Sequence, residues 1–137
     1  MAYKAPSQYD VQILLCSLPH LLPCLQHRLL EIERAILMQG MVNHKETGDA
    51  FFSDDNLAAA LCSYESAIAT ASEAALAWPV VEDMMMACRS NSALCLIVLG
   101  RPSEAITQCD AALALRVADH AGLLLGKVMG RKVRALL

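Results

Sequence analysis

Four histidines, six cysteines and a lysine behind a glycine are the residues of this chain equipped for metal, thiol or phosphate chemistry. His20 and His27 lie seven residues apart, so a straight helix brings them to one face two turns apart. A metal needs further donors, and neither a His-x-x-x-His nor a Cys-x-x-Cys pair accompanies them or His44 and His120. Cys16, Cys24, Cys62, Cys88, Cys95 and Cys109 sit among Leu, Ala and Ile at helix-compatible positions. That placement predicts small core residues and a reducing compartment, rather than a disulfide framework. The run from Gly122 to Gly126 and Lys127 is one residue short of a phosphate loop and has Val128 where a metal-binding hydroxyl belongs. No Gly-x-Ser-x-Gly elbow occurs. The chain therefore reads as a non-enzyme with no metal and no cofactor.

Charge is the remaining chemistry. Net charge is −3, but residues 1–126 carry 7 basic and 14 acidic side chains, whereas residues 127–137 carry Lys127, Arg131, Lys132 and Arg134 and no acid. A local cationic end suits an acidic peptide; a nucleic-acid binder needs a broader basic stripe than a pI of about 5.7 allows. The apolar stretch Val11 to Leu30 contains Pro19, His20, Pro23, Gln26, His27 and Arg28. It reads as a buried or partner-facing amphipathic helix, not a membrane span or signal segment.

The elements that must position these charges are helices. Ala and Leu supply 22 residues each while aromatics are only 4%, the balance of an all-α protein. Gly48, Ala60, Tyr64 and Ala67 are separated by 12, 4 and 3 residues, and Ala93, Ala105, Cys109 and Ala112 by the same intervals. Two copies of one helix-turn-helix unit explain this, the small residues letting paired helices approach closely.

Ser7 is placed to cap a first short helix to about Ser17, with a bend at Pro19 and Pro23, a second helix to about Gln39, and a stop at Gly40. This makes residues 1–40 a helical extension and residues 41–137 the repeat domain. The first repeat spans about 41–77, turning at residues 53–56, with Trp78 before Pro79 as its boundary. The second spans about 86–119, its first helix running from about Val81 to Leu99, Gly100 ending it, and Pro102 opening a helix to about Val117. A last helix from about His120, with a partial third repeat at 126–137, brings the total to about seven helices.

The segment from Lys45 through Gly48 and Asp49 to Phe52, followed by Ala60, Tyr64, Ala67 and Ile68, resembles the tetratricopeptide repeat, as does Arg89 to Leu96 followed by Leu99, Gly100, Ala105, Cys109 and Ala112. The resemblance implies antiparallel helix pairs stacked in a right-handed superhelix, with each repeat's first helix lining a groove. Gly48 and Ala93 lie 45 residues apart, 11 more than the family's 34, so the helices between them are expected to be longer than usual. The third repeat supplies only a first helix.

A narrower resemblance is to the co-chaperone repeats that hold acidic C-terminal tails of heat-shock chaperones in a carboxylate clamp. Lys45 matches its first lysine, Asn91 its second-repeat asparagine, and Lys127 and Arg131 its lysine-arginine pair; Asp49 stands where the family has asparagine. Lys45 and Asp49, like Lys127 and Arg131, stand at i and i+4, on one helical face. Two lysines and an arginine suit a carboxylate through charge-assisted hydrogen bonds, but an ionised Asp49 would face the peptide's own carboxylate.

The cysteine usage points to cytosol or nucleus, and the resemblance implies an interaction module, a co-chaperone or adaptor, whose groove takes a protein's C-terminal peptide at Lys45, Asp49, Asn91, Lys127 and Arg131. The alternative is a structural subunit or scaffold of a larger complex, its groove blocked or given to a different partner. Met84, Met85 and Met86 are expected to fill core, since three in a row cannot share one helix face. Leu123 to Leu125, Leu136 and Leu137 leave the last helix an apolar face for an added helix, the N-terminal segment or a second copy.

Overall fold

The computed structural model describes residues 5, 7–73, 79–115 and 122–137. Those residues form five helices and no strand: α1 (Gln8–Ser53), α2 (Leu57–Glu73), α3 (Pro79–Val98), α4 (Pro102–Leu113) and α5 (Gly122–Leu136). The expected total of about seven is corrected because α1 is one helix of 46 residues running through Pro19, Pro23 and Gly40. Proline's fixed φ is itself helical, and each ring forfeits one backbone hydrogen bond without ending the helix. Gly40 is no stop: a Cβ there would meet Thr70 Cγ2 at 3.6 Å, so the position packs against α2. Trp78, His120 and the expected helix limits at about Val117 and His120 lie outside the described residues.

The chain divides into two compact units, Met1–Ala35 and Ile36–Leu137. In the first, α1 opens on a capping box: the Asp10 amide donates to Ser7 Oγ at 3.3 Å, and the Ser7 amide donates to Asp10 Oδ2 at 2.9 Å. Residues 8–35 expose apolar side chains along their length, including Leu22, Leu25, Leu29 and Ile32.

In the second unit, residues 36–53 of α1 pack with α2, α2 with α3, α3 with α4, and α5 with both α3 and α4. All eight residues of the 12-4-3 spacing are buried. A Cβ on Gly48 would lie 2.7 Å from Tyr64 Cε1, so the absence of a side chain is what admits the ring. Asp55, at φ 60, turns the chain between α1 and α2, and Gly100, at φ 75, ends α3 while the Arg101 amide donates to Leu96 O at 2.8 Å.

The long spacing between the repeats appears as helix length: α2 has 17 residues and α3 has 20, against 12 in α4. The added turns carry a second small core, in which Met38, Met84 and Met85 pack on Met41, Ala71 and Val81. Met86 is fully buried in the main core, so the methionine run fills two cores at once. The cysteines divide: Cys88, Cys95 and Cys109 are buried, but Cys16, Cys24 and Cys62 are exposed, correcting the expectation that all six are core residues. All six are free thiols. No helix among the described residues is long and apolar enough to cross a membrane.

Candidate functional site

Asp49 is the centre of the polar chemistry in the second unit. It stands on the α1 face toward α2 and α3, one residue beyond the glycine that lets Tyr64 approach. Its Oδ2 accepts from Lys45 Nζ at 2.7 Å, one turn back on the same helix. Its Oδ1 accepts from the Tyr64 hydroxyl at 2.6 Å and from Asn91 Nδ2 of α3 at 3.5 Å. Tyr64 is 1% exposed, so its hydroxyl needs a partner inside the protein, and Asp49 is that partner. Burial first, and then the Asp49 carboxylate beside it, hold the phenol well above its ordinary value.

Arg131 reaches the same place from α5. Its Nη1 donates to Ser90 Oγ and, at 3.4 Å, to Asn91 Oδ1. Asn91 thus accepts from the guanidinium and donates to the carboxylate, joining α1, α3 and α5 through residues far apart in the chain. The guanidinium is half-buried and makes no ion pair among the described residues; burial is the main cause of its lowered pKa. Its Nε and Nη2 make no hydrogen bond among the described residues. Asp49, Phe52, Ser53, Tyr64, Asn91, Leu94 and Arg131 line a cleft of about 210 Å³. An Arg fork beside an amide and apolar walls can take a carboxylate in two parallel hydrogen bonds.

Four of the five residues singled out from sequence, Lys45, Asp49, Asn91 and Arg131, meet in this network. Lys127 is exposed on α5, one turn before Arg131, with no hydrogen bond or ion pair among the described residues. Asp49 does not face the cleft as a free carboxylate, since both its oxygens are engaged within the protein and it neutralises Lys45. Sequence reasoning assigned Tyr64 to packing alone and missed Ser90, Phe52, Ser53 and Leu94. Phe52 and Leu94 stand three residues after Asp49 and Asn91, a helical-face rule that identifies both.

The other cations are differently employed. Lys132 Nζ meets Asp110 Oδ1 at 2.6 Å, tying α5 to α4, and Arg89 Nη1 donates to Gln108 at 3.0 Å between α3 and α4. The three buried cysteines are poor nucleophiles: burial raises all three thiols, Cys88 to about 11. No group of three or more His, Cys, Asp or Glu side chains suited to a metal occurs among the described residues. Against known proteins, no family model matches this chain, and neither a curated protein nor a solved structure does.

Proposed function

We propose that the second unit is a non-catalytic protein-recognition module of tetratricopeptide type whose cleft takes the acidic C-terminal peptide of a partner protein, in the manner of a co-chaperone or adaptor. The observation that carries this reading is Arg131, a half-buried cation with no ion-pair partner among the described residues, lining a cleft with two donor groups uncommitted. Natural folds seldom leave a charge in that position without use for it. Arg131 binds the terminal carboxylate, Asn91 orients the guanidinium, Lys127 adds steering charge from one turn away, and Phe52 and Leu94 take an apolar side chain of the peptide. Lys45 contributes little net charge, because Asp49 cancels it.

Calorimetric titration at low salt with C-terminal peptides of heat-shock chaperones tests the proposal. Saturable binding is expected, falling about 10- to 100-fold when the peptide's carboxylate is amidated or when Arg131 becomes Ala, the loss of a charge-assisted hydrogen-bond pair. Asp49→Asn, which releases Lys45, is expected to tighten it. No saturable binding by wild type and Asp49→Asn alike sinks the reading. A structural role in a larger complex is the second reading, and the exposed apolar side chains of residues 8–35 favour it.

A further inference from the structure

Residues 8–35 of α1 carry a stripe of apolar residues, five of which stand exposed among the described residues. Val11, Leu22, Leu25, Leu29 and Ile32 are between 42% and 59% exposed. With Leu15 and Leu18 in the same register, these residues follow one another at steps of 4, 3, 4, 3, 4 and 3 residues from Val11 to Ile32. That is a heptad over three repeats, with Leu15, Leu22 and Leu29 at a and Val11, Leu18, Leu25 and Ile32 at d. The average period is 3.5 residues, the period of a helix wound on another helix rather than laid on a globular core.

Ile13 at f and Leu30 at b are exposed apolar residues off this seam, while the charged residues and the histidines follow the register. His20, His27 and Arg34 fall at f, the position farthest from the seam, and His27 Nδ1 meets Glu31 Oε1 at 3.7 Å on that outer side. Pro19 and Pro23 fall at e and b, so they leave the stripe unbroken. Arg28 falls at g and Glu33 at e, five residues on. In a parallel pair of identical helices, g of one faces the e of the other that lies five residues later, so each Arg28 meets its partner helix's Glu33, twice per dimer. Residues 8–35 hold 2 basic and 3 acidic side chains, giving the stripe no cationic border for an anionic membrane surface.

We infer that residues 11–32 form a parallel coiled coil with the same segment of a second copy of this chain, making the protein a homo-oligomer that presents its clefts in at least a pair. The inference stands on the first unit alone and does not depend on what the cleft binds.

Sedimentation equilibrium of the full chain at about 50 µM is expected to give at least twice the 14.8 kDa chain mass. Leu25→Asp should return it to monomer while circular dichroism shows the second unit still helical. Arg28→Glu and Glu33→Arg each turn two attractive pairs into two repulsive ones and should weaken association about tenfold, and the double exchange should restore it. A monomeric wild type, an oligomer indifferent to Leu25→Asp, or a double exchange as weak as the single variants overturns the inference. So does a monomer that binds phosphatidylserine vesicles through this segment, since the stripe then belongs to a lipid surface.

Discussion

Alanine at Gly48 sets two effects of known size against each other. Glycine inside a helix costs about 0.8–1.0 kcal/mol relative to alanine, which the substitution would recover. The new methyl would lie 2.7 Å from Tyr64 Cε1 and 2.9 Å from Cδ1, where ordinary contact begins at 3.4 Å. The ring has nowhere to retreat, because it is buried and its hydroxyl is held by Asp49 at 2.6 Å. Overpacking at such a site costs about 1–3 kcal/mol, and losing the hydroxyl contact adds about 1 kcal/mol or more, so after the helix-propensity gain a net loss of about 1–3 kcal/mol is expected. Gly40→Ala is the control in the same helix: its methyl meets only Thr70 Cγ2, at 3.6 Å, and a gain of up to about 1 kcal/mol follows. Urea unfolding of the full chain by far-ultraviolet circular dichroism measures both. Opposite signs for two glycines of one helix are the expected result, with the Gly48→Ala loss shrinking on a Tyr64→Leu background. A Gly48→Ala midpoint equal to or above that of Gly40→Ala would refute the close-approach reasoning.

Tyr64→Phe keeps the ring but removes the donor to Asp49, and the same unfolding assay should show a loss of about 1.5–3 kcal/mol, the range for a hydrogen bond to a charged group. Titration with a thiol reagent at pH 8 should label Cys16, Cys24 and Cys62 within minutes, and Cys88, Cys95 and Cys109 only on unfolding; six fast thiols would contradict the burial pattern. The Ser7 side chain and then its amide hold the Asp10 carboxyl below its ordinary 3.8, so the folded state favours the ionised form. The capping contribution is therefore complete above pH 3.8 and lost as pH falls through the folded value; helicity followed from pH 6 to 2 should fall in this window less for Ser7→Ala than for wild type.

The helix pairs were legible because steric demand leaves a mark on residue size: where two backbones approach, Gly48, Ala60, Ala67, Ala93, Ala105 and Ala112 are what fits. The continuity of α1 was not. Pro19 and Pro23 each carry a local cost of about 3 kcal/mol or more inside a helix and Gly40 about 1 kcal/mol, yet α1 runs through all three. At the cleft, helical spacing was enough to bring Lys45, Asp49, Asn91 and Arg131 forward as a set. It could not show that both Asp49 oxygens are engaged within the protein, because that depends on Tyr64, fifteen residues away on another helix, needing an acceptor. The exposed cysteines were misread for a related reason: an apolar neighbourhood in sequence says nothing of which helix faces find a partner.

The methionine cluster at the lengthened ends of α2 and α3 has an evolutionary consequence. A single inserted or deleted residue turns everything beyond it by about 100° around the helix axis. At the alanine seam such a slip would drive a larger side chain into a space built for a methyl. Met38, Met41, Met84 and Met85 are unbranched and can refold their thioether chains over a rotated neighbour. The extra turns thus sit where the molecule best absorbs changes in length, a buffer zone in which the spacing between two rigid helix pairs can drift without unseating either.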